Sequence, residues 1–192
     1  MLSMSRLVKP LAVAGALAMA ATAAAAGPAV TPLVSVDWLH QHVADQDLRV
    51  LDLRDPAGFE AGHVPGAIRV DYPGGWRVER NGIPAMLPDV PDLAAYVSSL
   101  GIGPQTSVVV LPVGRSSADL GQATLIYFIL KYLGHDAVAI LDGGAPAWAA
   151  AANVPMATGA AAPPIAIAVG SMAGNGRTSS GKKTPFGQHR PE

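Results

Sequence analysis

Three stretches of this sequence hold residue types at spacings that could do chemistry. In Val50-Leu51-Asp52-Leu53-Arg54-Asp55, Asp52 and Arg54 stand two residues apart. On an extended chain their side chains leave on the same side. The carboxylate can orient the guanidinium, or the two can form a structural ion pair that ties down a neighbouring loop. Next comes Phe59-Glu60-Ala61-Gly62-His63-Val64-Pro65-Gly66-Ala67-Ile68. Gly62 and Gly66 permit tight backbone and Pro65 stiffens it. His63, between them, is placed to hydrogen-bond backbone and pin the loop; a catalytic or ligand role is the alternative. The third stretch is Pro112-Val113-Gly114-Arg115-Ser116-Ser117-Ala118-Asp119-Leu120. There Arg115, Ser116 and Ser117 could bind an oxyanion such as sulfate or thiosulfate, and a solvated loop arginine is the alternative. Ser116 or Ser117 as a hydrolase nucleophile, with His63 and an aspartate, is disfavoured because the flanks are not the G-x-S-x-G elbow.

Composition removes several chemistries. The 192 residues include no cysteine, so disulfides, thiolate metal sites and thiol catalysis are excluded. The five histidines form no ligand set with carboxylates. His40 and His42 are two apart on an expected helix and do not share a face, so no metal and no cofactor are expected. A formal net charge of −1 lacks the basic footprint that nucleic acid requires. Half the residues are apolar, which supports a packed core in a chain long enough for one domain.

The elements that must position these residues can be read along the chain. Ser35 is a helix cap, with the helix running through Trp38, Leu39 and Val43 and Asp37 in its first turn. Residues 49–53 and 67–70 read as short buried strands, with a turn opening at Asp55-Pro56. Residues 71–90, full of Gly, Pro and Asn, read as a long loop. A helix is expected from Pro91 to about Leu100, stopped by Gly101. Residues 107–111 are a strand. The loop Pro112–Leu120 follows, and then a helix from about Gly121 to Leu133 whose apolar residues run nearly all the way round, which predicts burial on several sides. Residues 137–141 are a further strand. Asp142-Gly143-Gly144 turns the chain and caps a last helix around Trp148. Strands that are continuous apolar runs, alternating with helices, predict an α/β fold with a small parallel sheet of four to five strands covered by helices on both faces.

The two ends read differently. Arg6 and Lys9 precede an alanine-rich apolar run from Leu11 to Ala26. Such a basic start, short apolar stretch and small-residue end describe a signal peptide over residues 1–26, with an uncleaved anchor as the alternative. Without Arg6 and Lys9, 11 basic and 14 acidic residues remain, a net −3. The mature chain is expected in the periplasm or outside the cell, with no membrane attachment after cleavage. Residues 155–192 are rich in Ala, Pro, Gly, Ser and Thr without period. They read as a disordered tail, with truncation or a shifted reading frame as an alternative origin.

The second of the stretches above, together with Asp52-x-Arg54, resembles the first signature of rhodanese (sulfurtransferase) domains. Tyr132-Leu133-Gly134-His135-Asp136, Val138 to Gly144 and Trp148 are similar to that family's closing segment. The resemblance covers residues 33–154. It implies a rhodanese-like fold in which Asp52, Arg54, Glu60, His63, Gly66, Asp142, Gly143 and Gly144 are framing motif residues. It also implies that Pro112–Leu120 is the loop where catalytic members carry a cysteine. That cysteine takes a sulfane sulfur from a donor such as thiosulfate and passes it to an acceptor. Backbone N–H groups and a helix N-terminus favour the anionic sulfur there. This chain has no residue able to form a persulfide, and the loop reads as longer than the catalytic one. The turn at residues 101–104 and the pairs at 134–136 and 142–144 look more like the cysteine-less first domain of tandem thiosulfate/3-mercaptopyruvate sulfurtransferases. The resemblance therefore implies a domain inactive by itself, with a cysteine-bearing rhodanese domain or a small sulfur oxyanion as partner. A binding module acting through Pro112–Leu120 and the front half of a two-domain enzyme are the alternatives.

Overall fold

The computed structural model describes residues 26–160; the expected signal peptide, apart from Ala26, and most of the expected tail lie outside them. Five parallel strands form the central sheet in the order β1-β7-β6-β2-β3. They are β1 (Leu33–Val34), β2 (Leu48–Asp52), β3 (Ile68–Arg69), β6 (Ser107–Leu111) and β7 (Val138–Leu141). The central pair is the longest: β2 and β6 run in register from Leu48 against Ser107 to Asp52 against Leu111. Helices α1 (Val36–His42), α2 (Pro56–Ala61), α3 (Val90–Ser99), α4 (Ser117–Tyr132) and α5 (Gly144–Ala150) connect them.

The apolar runs of the strands feed two cores, one on each face, because successive side chains alternate across a strand. Val108 and Val110 join Leu93 and Val97 of α3 and Ala123, Ile126, Ile129 and Leu130 of α4. Val109 and Leu111 join Leu39 of α1, Phe59 of α2 and Trp148 of α5. Ser35 caps α1, its hydroxyl accepting from the Trp38 N–H at 3.1 Å. Gly101, at φ +70°, ends the turn after α3 as expected.

The structure departs from the sequence expectations in four places. Residues 71–90 are not one loop: a 3-10 turn at Gly74–Trp76 leads into an antiparallel hairpin of β4 (Val78–Arg80) and β5 (Ile83–Met86). The turn at Asp55-Pro56 is the start of α2, with the Asp55 carboxylate accepting the Gly58 N–H at 2.7 Å and Pro56 in the first turn, where its missing N–H costs nothing. The helix expected from Gly121 begins at Ser117. That same helix is buried on one side only: Leu120, Phe128 and Tyr132 are 51, 56 and 56% exposed. An all-apolar helix pattern thus marks an uncovered face here rather than burial on several sides.

The N-terminal segment is strapped beneath the sheet, at the end opposite the strand C-termini. The Gly27 N–H donates to the Gln105 carbonyl at 2.7 Å. The Ser107 hydroxyl donates to the Pro28 carbonyl at 2.6 Å. At the other end of the described chain, residues beyond Val154 still belong to the fold. His63 and Ala157 exchange backbone hydrogen bonds at 2.8 and 2.9 Å, and the Gly159 N–H reaches the Glu60 carbonyl at 3.0 Å.

Candidate functional site

In an open parallel sheet, the loops that leave the carboxyl ends of the strands form the natural site. Two such loops stand side by side here, because β2 and β6 are neighbours. At the end of β2 the Asp52 side chain is fully buried and holds Arg54 in a fork: Nε donates to Oδ1 at 3.0 Å and Nη2 to Oδ2 at 2.6 Å. The Arg54 backbone N–H also donates to Oδ1, and Nη1 donates to the Gly58 carbonyl at 2.9 Å. The guanidinium is thereby committed to its own junction. Asp52-x-Arg54 is a structural ion pair that joins the strand end to the first turn of α2.

His63 is pinned as well. Its ring stacks on Phe59 with centroids 3.7 Å apart, and Nδ1 lies 2.9 Å from the Phe59 carbonyl oxygen. Gly66 turns the chain at φ +75°. Glu60 is exposed, and its backbone carbonyl receives the Gly159 N–H.

At the end of β6 the turn is short, since only Pro112 to Ser116 separate the strand from α4. Ser116 is the N-cap. Its hydroxyl accepts from the Asp119 N–H at 3.3 Å. The Asp119 carboxylate reaches back to accept the N–H groups of Arg115 and Ser116, both at 2.9 Å. This reciprocal box engages the amides of Arg115, Ser116 and Asp119. The Arg115 N–H, followed by the Ser116 groups, holds the Asp119 carboxyl below the usual carboxylate range. A carboxylate of the chain itself therefore occupies two of the amides before the helix, at a place where an external anion could otherwise sit.

A cavity of about 580 Å³ opens beside this turn, lined by Arg115, Ser116, Ser117 and Leu120 on one side and by Leu33, Ile140, Leu141 and Asp142 to Gly144 on the other. The second wall is held to the first by the Ala145 N–H, which donates to the Pro112 carbonyl at 3.0 Å. Gly143 and Gly144 both adopt positive φ, +70° and +60°. At Gly144 an added Cβ would stand 2.6 Å from the Pro112 carbonyl oxygen. Gly143 caps α5 through its backbone conformation, without a side-chain hydrogen bond; Asp142 is exposed at the cavity rim.

Of the residues singled out in the sequence, Arg115, Ser116, Ser117, Asp142, Gly143 and Gly144 come together at this cavity. Asp52, Arg54, Glu60, His63 and Gly66 do not line it, so the serines have no histidine partner from the His63 loop. Among the described residues no cluster of three or more His, Cys, Asp or Glu could hold a metal ion. Sequence reasoning overlooked the role of Asp119, although Ser116-x-x-Asp119 has the spacing of a capping box. It also overlooked Leu33, brought to the cavity only by β1 pairing with β7.

The family model "Rhodanese-like domain" matches residues 35–151. The chain is 36% identical over 128 residues to thiosulfate/3-mercaptopyruvate sulfurtransferase 2 of Arabidopsis thaliana, covering 62% of this chain and 36% of that protein. It is 31% identical over 144 residues to human 3-mercaptopyruvate sulfurtransferase, covering 68% of this chain and 47% of that protein. Among solved structures it resembles SseA from Escherichia coli, a 3-mercaptopyruvate sulfurtransferase described as having the rhodanese fold. That match has a TM-score of 0.59 and 26% identity, covering 70% of this chain and 53% of the other. The chain thus spans about a third to a half of the length of these relatives.

Proposed function

The chain belongs to the rhodanese-like domain family, and from that premise we propose that it is an exported member that transfers no sulfur by itself and works by docking on a cysteine-bearing rhodanese domain. The observation that carries the reading is the turn from Pro112 to Ser116. The chain has no cysteine, and the backbone amides of Arg115 and Ser116 are engaged by Asp119. A serine hydroxyl is a poor replacement, since the nucleophile of thiol chemistry is a thiolate and Ser116 is already spent as a helix cap.

Two features support docking. The relatives are two to three times as long as the region they share with this chain, which leaves room in them for a further domain. The uncovered residues Leu120, Phe128 and Tyr132 of α4 also continue from the cavity wall along one helix face, the kind of apolar surface that protein partners cover. Export rests on the basic, apolar and small-residue order of the first 26 residues and places the mature chain in the periplasm or outside the cell.

The test is sulfur transfer from thiosulfate or 3-mercaptopyruvate to cyanide, first with the mature chain alone and then with a cysteine-bearing rhodanese domain added. No turnover is expected from the chain alone, with a changed KM or kcat of the added domain when both are present. Turnover by the chain alone would refute the reading.

The second reading is oxyanion binding at the cavity, favoured by exposed Arg115 on its wall. Calorimetry with thiosulfate, on the chain and on Arg115→Ala, separates it from docking: heats that vanish in the variant would favour it, and equal heats would remove it.

A further inference from the structure

We propose that the bond cut on export is Ala26–Gly27, and that the amine freed there is a structural group of the mature fold. The proposal rests on the export reading above.

The sequence gives a signal peptide over residues 1–26 but does not by itself fix the bond that is cut. Residues 20–26 read Ala-Ala-Thr-Ala-Ala-Ala-Ala, so cuts after Ala23, Ala24, Ala25 or Ala26 all find small residues at the positions a signal peptidase reads. The fold distinguishes between them. Ala26 is exposed, whereas Gly27 is the first of the described residues held by a backbone hydrogen bond to another described residue, its nitrogen donating to the Gln105 carbonyl at 2.7 Å. The seat accepts only glycine. A Cβ at residue 27 would stand 2.6 Å from the Asp47 carbonyl oxygen and 2.7 Å from the backbone nitrogen and hydroxyl of Ser107. Two of these three atoms are backbone, fixed by the 2.7 Å hydrogen bond from the Ser107 N–H to the Asp47 carbonyl. The next residue is clamped by the Ser107 hydroxyl on the Pro28 carbonyl. A cut one residue later would remove the anchored nitrogen. An earlier cut would leave that nitrogen an amide, with one donor instead of three.

The chemistry suits the seat. Hydrolysis adds one water across the amide: Ala26 leaves as a carboxylate, and the nitrogen stays on Gly27 as an ammonium. An amide nitrogen offers one donor, an ammonium three. The carbonyls of Gln105 and Asp47 both flank this position, and a hydrogen bond from a charged donor is roughly twice as strong as a neutral one. A peptidase must also draw the scissile bond into its own cleft, which the clamped strap forbids. The cut therefore precedes the seating of residues 27–32 under the sheet.

The experiment is to express the full chain in a Gram-negative host and recover the mature protein from the periplasm for intact-mass measurement and N-terminal sequencing. The expected product begins Gly-Pro-Ala-Val. A product beginning at any of the preceding alanines overturns the bond assignment and leaves export standing; an uncut chain retained in the cytoplasm overturns both. The amine is then challenged with an acylating reagent. The folded protein should react at least about tenfold more slowly than the urea-unfolded one, the factor that ~1.4 kcal/mol of interaction sets. Equal rates would show that the ammonium has no seat.

Discussion

The junctions that follow β2 and β6 lie side by side at one end of the sheet, yet they handle charge in opposite ways. After β2, a buried carboxylate takes a guanidinium, and two more hydrogen-bonding groups, the Arg54 backbone N–H and the Gly58 carbonyl, close around the pair. After β6, an accessible carboxylate takes backbone amides at the mouth of a cavity, and the neighbouring arginine stays free of ion pairs among the described residues. The first junction carries the residues that match the family pattern most fully. The second departs from that pattern, and it is the one that faces solvent. Residues that resemble the family pattern stand on both sides of that contrast: Asp52 and Arg54 in the closed junction, Asp142, Gly143 and Gly144 on the wall of the cavity.

Removing Asp52 should have the largest effect. Asp52→Ala strands the Arg54 guanidinium, which is only 14% exposed, and should cost about 3–5 kcal/mol in urea unfolding. The double variant with Arg54→Met should recover part of that loss. A cost below ~1 kcal/mol would mean that the two junctions do not differ in kind. Next is Gly144→Ala, which places a Cβ against the Pro112 carbonyl at a left-handed residue. A loss of about 2 kcal/mol is expected from thermal melts, and an unchanged melt would show that the cavity walls are not rigidly tied. Ser116→Ala should cost about 1 kcal/mol. Combined with Asp119→Ala it should be less than additive, since both residues belong to one box; strict additivity would argue against the reciprocal cap.

The smallest effect lies at the far end of the sheet and is a control for both junctions. His135 is buried with Nε2 unpartnered, and burial lowers its pKa against weaker opposing help from the Thr106 and Ala137 backbone. The unfolded chain therefore takes up the proton more readily than the fold does. Stability attributable to His135 should be present above the ordinary imidazole range near pH ~6.5 and fall as pH drops below it. His135→Gln should flatten that part of a stability–pH profile. A profile unchanged by the substitution would exclude His135 as its cause.

Much of the fold is legible because the information is local. Residues 107–111 are a buried run bounded by turn residues, and they form the strand expected. Ser35 with Asp37 is a helix start in sequence and in space. The errors have physical reasons. The hairpin at 78–86 carries an Asn81-Gly82 turn signal, but Pro84 and exposed Ile83 break the apolar alternation that would mark its strands. The start of α4 was written in Ser116-x-x-Asp119 and was masked by the loop composition around it. β1 is two residues long and carries no signal of its own; β7 creates it. Leu33 reaches the cavity only through that pairing, so its place in the wall was not written in its own segment, whereas Arg115, Ser116, Ser117 and Asp142 to Gly144 were singled out from theirs.

The pairing also sets a clock. Leu33 meets Ile140 and Val34 meets Leu141, so the first strand made is closed by the last. Long-range pairings of this kind are slow to form because the intervening chain must be gathered first. A ribosome must deliver nearly the whole domain before the sheet can close. Until Val138–Leu141 has been made, β1 has no strand to pair with and that edge of the sheet stays open.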